Sequence, residues 1–198
     1  NIRSDTKKFF EKKKLWCASS THPGEELICA QIHQKLKLKY KNLVTIIIPR
    51  HVQRSYDLAK QFEQLGINVY LHSSKKKIEK KTQIYIVDTY GETESFFDIC
   101  KIVFLGKSLT SNGGQNPLEP ARHNCRVLYG PRIYNFIEIY AFLKKQNIAF
   151  KVNNKNQFLR KIDELLGKNL NAKNTKNKIN VLGKNILKKT LIELKSFY

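Results

Sequence analysis

The residue types best suited to chemistry gather in the segment Asn112-Gly113-Gly114-Gln115-Asn116-Pro117-Leu118-Glu119-Pro120-Ala121. Two consecutive glycines remove two Cβ atoms, so backbone N–H groups can approach a ligand closely and form a concave seat for an anion. Asn116 is a good N-cap and Pro117 is preset for a first helical turn, which predicts a short helix with its positive end turned toward the loop. Glu119 falls in that first turn, where a buriable carboxylate can accept hydrogen bonds from the paired hydroxyls of a ribose. These are the parts of a pocket for a phosphorylated sugar. Taken alone, Gly113-Gly114 reads equally as an ordinary turn and Glu119 as an acid that offsets the helix dipole.

Three further clusters bear on the choice. In Ser20-Thr21-His22-Pro23-Gly24-Glu25-Glu26 the Ser20 and Thr21 hydroxyls either cap a helix or hold an oxyanion. His22 has no second ligand at helical spacing, so it is a candidate to orient a phosphate or close a hydrogen-bond network and not to bind metal. Pro49-Arg50-His51 directly follows an apolar run, which places the Arg50 guanidinium at a rim where it can grip phosphate bidentately, with His51 beside it. Asp88-Thr89-Tyr90-Gly91-Glu92 offers backbone contacts to a base or sugar. Its acids read as well as an N-cap and a first-turn carboxylate as they do as a general acid/base pair, and neither is assigned proton transfer. Residues 134–136 are expected to pack in core and loop.

These clusters must be positioned by a regular scaffold. Apolar, β-branched runs at residues 15–18, 44–48, 69–71, 84–87, 102–105, 127–129 and 149–152 read as strands. They alternate with helical patterns at 25–38, 53–65, 93–100, 118–123, 136–146, 156–166 and 178–197. That alternation predicts an α/β fold, a Rossmann-like doubly wound parallel sheet. Such sheets bind ligands outside the carboxyl ends of their strands. The four clusters follow the first, second, fourth and fifth strands, so they read as one constellation.

Bulk properties bound the function class. A chain of 198 residues can bury a real core as one domain. The formal charge of +21 comes from 37 Lys and Arg against 16 Asp and Glu, with lysine spread along the whole chain. Diffuse lysine favours a compositional bias with non-specific attraction to anionic surfaces over a specific nucleic-acid groove, which interleaves Arg and aromatics. Cys17, Cys29, Cys100 and Cys125 form no C-x-x-C pair and read as reduced core residues. No apolar run approaches the roughly 20 residues of a membrane span and no signal-peptide pattern is present, so membrane contact is expected to be peripheral or made by another part of the protein.

The ordered set Ser-Thr-His-Pro-Gly-Glu-Glu at 20–26, Pro-Arg-His at 49–51, Asp-Thr-x-Gly-Glu at 88–92, Gly-Gly-x-Asn-Pro-Leu-Glu-Pro-Ala at 113–121 and Gly-Pro followed by Asn-Phe at 130–136 resembles a known family. It is similar to the C-terminal half of 3-deoxy-D-manno-octulosonic acid (Kdo) transferases. These glycosyltransferases of lipopolysaccharide synthesis add Kdo from CMP-Kdo to the lipid A precursor. The resemblance covers about residues 15–166 and implies one half of a GT-B architecture, two Rossmann-like domains facing across a cleft. Residues 1–14 would then be a linker from a missing N-terminal acceptor domain, and residues 15–198 the donor-binding domain with a C-terminal helix. Carried over, Ser20, Thr21, His22, Arg50, His51, Thr89, Gly91, Glu92, Gly113, Gly114, Asn116 and Glu119 would line the CMP-Kdo site. Arg50 and the Gly-Gly loop would meet the phosphate, and Glu119 the ribose.

The resemblance also implies that the catalytic base lies on the other domain, so that this half alone binds donor without transferring it. It implies no metal and no cofactor beyond the CMP-Kdo substrate, and the chain has no Asp-x-Asp motif. Expected partners are CMP-Kdo, the lipid A precursor through the other domain and the anionic inner-membrane surface at its cytoplasmic face, with no specific nucleic acid. Lys107 stands where a second glycine is usual, Gln115 where a His is common, Val87 where a Gly precedes the Asp, Tyr90 where a Met is common and Arg132 where a His is frequent. The alternatives are a sugar-nucleotide epimerase of the same fold and a basic nucleic-acid-binding module.

Overall fold

The computed structural model describes residues 2–170 and Ile179; apart from Ile179, the helix expected over residues 178–197 lies outside them. Seven strands form one sheet: β1 (Lys14–Thr21), β2 (Leu43–Pro49), β3 (Val69–Leu71), β4 (Ile84–Ile86), β5 (Ile102–Leu105), β6 (Arg126–Tyr129) and β7 (Ala149–Lys151). Their order is β3-β4-β2-β1-β5-β6-β7, and every pairing is parallel. The helices are α1 (Ser4–Glu11), α2 (Glu25–Lys39), α3 (Ser55–Gln64), α4 (Thr93–Ile99), α5 (Leu118–Arg122), α6 (Ile137–Lys145) and α7 (Lys155–Leu166). The doubly wound parallel sheet expected from the alternation is the observed fold.

A parallel sheet covered on both faces needs strands that are apolar on both sides. β2, Leu-Val-Thr-Ile-Ile-Ile-Pro, is buried along its whole length. Successive residues feed opposite cores: Trp16 and Ala18 pack with Cys29, Phe62 and Phe158 under α2, α3 and α7, while Cys17 packs with Phe97, Ala121 and Tyr140 under α4, α5 and α6. All four cysteines are buried and unbridged.

Part of the segment whose polar composition reads as a linker is helical and packed. Residues 4–11 are α1, which packs on the second of these cores through Phe10, 3% exposed, with its ring edge-on to Tyr85 at 5.1 Å. Thr6, one turn earlier on the same face, is buried as well. Arg3, just before the helix, donates to the Tyr70 hydroxyl at 2.6 Å and the Ser74 carbonyl at 3.1 Å. The outer faces of α1 carry the charges, so a composition dominated by lysine hid a narrow apolar stripe.

From β1 the chain passes through α2 to β2 on one side; from β5 it passes through α5 to β6 on the other. The helices after β1 and β5 also cover opposite faces, since α2 buries Cys29 and Ile32 in one core and α5 buries Ala121 in the other. The strand order therefore reverses between β1 and β5. At such a switch point the two loops diverge and leave a crevice at the carboxyl edge of the sheet.

Candidate functional site at the carboxyl edge of the sheet

The crevice is built around one buried carboxylate. β1 ends in an irregularity at Ser20, whose φ is +53°, and the chain then turns through Gly24, in left-handed conformation, into Glu25 at the first position of α2. Neither Ser20 nor Thr21 caps that helix, contrary to the capping expectation: its N-cap is Gly24, and no side chain bonds to the helix start. Thr21 is fully buried, and its hydroxyl has no partner among the described residues. The helix start is instead tied to its surroundings by Glu25, which is 0% exposed. Its Oε1 accepts from the N–H groups of Ser108 (3.0 Å) and Leu109 (2.9 Å), and its Oε2 from those of Lys107 (2.8 Å) and His22 (3.0 Å). One side chain thus fastens the loop after β5 to the loop after β1. The fit requires glycine at 106, because a Cβ there would lie 2.4 Å from the Ser20 carbonyl oxygen and 2.7 Å from Glu25 Oε2.

The next two strands add cations and a closed network. The Arg50 N–H donates to the Thr21 carbonyl at 3.0 Å, which fixes the base of an otherwise exposed side chain at the rim. His51 is exposed beside it, and its ring stands edge-on to His22 at 5.8 Å. Burial lowers the His22 pKa from its ordinary value; Glu25 opposes this, while His51 and Lys107 add to it. At the end of β4, Glu92 bonds to Thr89 and pairs with His72 Nε2 at 2.8 Å, while His72 Nδ1 meets the Tyr85 hydroxyl at 2.6 Å. Asp88 accepts from the Ser73 N–H at 2.8 Å and from its hydroxyl at 2.5 Å. Both acids are engaged in holding loops, in keeping with the structural reading of this turn, although neither does so as a side-chain cap of α4. Gly91, with φ +83°, leaves the turn exposed.

The glycine loop after β5 folds back on itself. Gly114 N–H donates to the Lys107 carbonyl at 2.9 Å, and the Gly113 carbonyl accepts from the Asn135 N–H at 3.3 Å. Gly113, at φ +117°, takes a conformation that side chains rarely adopt. Asn116 Oδ1 accepts from the Leu118 N–H at 3.0 Å, so it serves the helix start as expected, with Pro117 at the N-cap position and not inside the helix. Glu119 is in the first turn but exposed, not buried, and has no side-chain partner among the described residues. Its carboxylate is left for solvent or a ligand. Tyr134, expected to pack, is 65% exposed.

The structure also brings in residues to which sequence reasoning gave no role. Glu26, adjacent to Glu25 and equally buried, pairs with Arg54 at 2.8 Å. Ser108 donates through its hydroxyl to the Leu105 carbonyl at 2.6 Å and accepts from Gly130 N–H at 2.9 Å, which joins the β5 and β6 ends. The only signal in the sequence was a pair of acids after Pro-Gly at a helix start, a pattern that dipole compensation already explains.

The clusters at 20–22, 50–51, 89–92, 113–119 and 130–135 leave β1, β2, β4, β5 and β6, five consecutive neighbours in the sheet. This scaffold has the Rossmann-like fold of a GT-B glycosyltransferase domain. It superposes on the C-terminal CMP-Kdo binding domain of WaaA from Acinetobacter baumannii with a TM-score of 0.79 and 24% identity, covering 87% of this chain and 90% of that one. The C-terminal domain of the group 1 glycosyl transferase LpcC from Francisella tularensis follows at 0.56 and 16% identity, covering 91% and 92%. Sequence narrows the class: the chain is 31% identical over 177 residues to the 3-deoxy-D-manno-octulosonic acid transferase of Haemophilus influenzae, covering 89% of this chain and 41% of that protein. It is 32% identical over 145 residues to a probable mitochondrial transferase of the same name from Arabidopsis thaliana, covering 72% and 32%. The chain belongs with the Kdo transferases. It spans 41% of the length of the first relative and 32% of the second. No family profile matches it.

Proposed function

We propose that this chain is the donor-binding portion of a glycosyltransferase that takes Kdo from CMP-Kdo and delivers it to the lipid A precursor. The observation that carries this reading is the row of five neighbouring strand ends from which the polar clusters leave, in a chain related by sequence to Kdo transferases. As the bond to the sugar breaks, negative charge grows on the CMP phosphate. A preorganised cation and a free N–H group stabilise that charge more than they stabilise the bound ground state. On this reading Arg50 at the rim and the Gly113 N–H serve the phosphate, the Gly114 N–H being engaged by the Lys107 carbonyl, and the unpartnered Glu119 carboxylate serves the ribose hydroxyls. His22, held toward its neutral form by burial, can complete a hydrogen-bond network without adding charge. The base that deprotonates the acceptor belongs, on this reading, to a second domain. The acceptor meets the enzyme at the cytoplasmic face of the inner membrane, where the basic surface favours anionic headgroups. Among the described residues no helix is long and apolar enough to cross a membrane.

Calorimetric titration tests the reading. CMP should bind, and Arg50→Ala and Glu119→Gln should each weaken it about tenfold, the loss of one charge-assisted contact. Unchanged affinity in both variants would reject the site. Absent CMP binding together with tight, salt-sensitive binding of a random oligonucleotide would reject the function in favour of a nucleic-acid module. In a protein of the relatives' full length, Kdo transfer to lipid A precursor is expected, and epimerisation of a sugar nucleotide in its place would overturn the transferase reading.

A further inference from the structure

Four non-glycine residues of the described chain have positive φ: Ser20, Lys107, Asn124 and Asn147. The two asparagines sit where asparagine is the ordinary occupant, after a helix. Lys107, at φ +56°, has no such local compensation, because a lysine cannot bond to its own backbone as asparagine does. Its backbone is held in place by Glu25 through the 2.8 Å bond to its N–H. Its side chain runs over the glycine loop: a Cβ built on Gly113 would lie 3.4 Å from Lys107 Cε, 3.6 Å from Nζ and 3.2 Å from Asn135 Nδ2. No acid pairs with Lys107 among the described residues, and the Gly113 N–H and the Asn135 side-chain amide likewise have no acceptor among them. Two side-chain donors, one of them a full charge, therefore lie against one glycine whose own N–H is also without an acceptor among the described residues. A mobile surface lysine would have no reason to occupy a strained backbone position in the crevice.

We infer that Lys107, with Asn135 and the Gly113 N–H, forms a second anion seat that binds an oxyanion of the donor, separate from the Arg50 contact. This rests on the donor-site reading above. A sugar nucleotide whose sugar is an acid carries two such groups, the phosphate and the carboxylate, so a second anion seat beside the Arg50 contact has a group to bind. Lys107 supplies the charge of that seat, and where the oxyanion is the sugar carboxylate it brings a preference for acidic over neutral sugars.

The test uses the 198-residue chain and two probes, CMP and freshly made CMP-Kdo, with Lys107→Gly and Lys107→Arg. Glycine suits φ +56° better than lysine does, so Lys107→Gly should keep or raise Tm while donor affinity falls about tenfold; a residue with only a structural role could not move the two in opposite directions. Lys107→Arg should retain most of the affinity. Loss against both probes assigns the seat to the phosphate, and loss against CMP-Kdo alone assigns it to the sugar carboxylate. Unchanged affinity for both probes in Lys107→Gly, or an affinity loss that only tracks a lowered Tm, overturns the inference. If the unaltered chain binds neither probe, the donor-site reading itself fails, a result distinct from failure of the lysine.

Discussion

Replacing Glu25 with Gln keeps the volume and removes the charge, and it should unfasten the crevice. The carboxylate accepts four backbone N–H groups at 2.8 to 3.0 Å, two on each oxygen. A carboxamide offers one oxygen able to take two of them and turns an NH2 group toward the others, so two donors lose their acceptor and face a third donor. An orphaned buried donor costs about 1–3 kcal/mol. The Ser108 pair is fully buried and the other three are partly so, which discounts the sum to about 2–4 kcal/mol. Urea denaturation followed through Trp16, the sole tryptophan and completely buried, reads this loss directly. Hydrogen exchange gives the local signature: the amides of Lys107, Ser108 and Leu109 should lose protection, while those of β2 keep theirs. CMP affinity should fall as well, although Glu25 has no exposed surface with which to touch a ligand. Unfolding within about 0.5 kcal/mol of the unaltered chain, the range of a neutral surface change, together with unaltered protection at those three amides, would refute the claim that this carboxylate ties the two loops together.

Two further outcomes follow from the packing. Phe10→Ala should cost about 3–5 kcal/mol if α1 is part of the domain; a change of less than about 0.5 kcal/mol, as at a surface site, would restore the linker reading of residues 1–14. His33 bonds to Thr45 at 2.8 Å inside the core, and burial, with a contribution from Lys37, lowers its pKa to about 3 from an ordinary 6.5. Below pH 6.5 the unfolded chain therefore takes up a proton that the folded chain refuses. Stability should be full above that pH and fall by at most about 1.4 kcal/mol per pH unit as pH drops toward 3. Denaturation midpoints between pH 7 and 4 should show that slope in the unaltered chain and a shallower one in His33→Gln; parallel slopes would exclude His33 as its source.

The scaffold was legible because a parallel sheet leaves an unambiguous trace: runs such as residues 44–48 have no polar face to confuse them with amphipathic helices, and the strand bounds they predict hold to within a residue or two, except at the end of β1. The irregularity at Ser20, where β1 runs on to Thr21 beside β2, has no marker in residue type. The positions of the clusters were legible for the same reason, since strand order alone puts them on one edge. What could not be read was which side chains stay free at the crevice and which hold the frame. Glu25 and Glu26 are neighbours of one type in one helical turn, yet one is committed to amides 82 to 84 residues away and the other to Arg54. That division is decided by how closely β5 approaches β1, a distance set by the absence of a side chain at Gly106 and registered nowhere in local propensity. The same approach accounts for Lys107. Its N–H is held by the buried Glu25 carboxylate, its backbone lies in the left-handed region, and its side chain runs beside Gly113. The frame of this crevice thus comes from buried groups such as Glu25, with no exposed surface of their own.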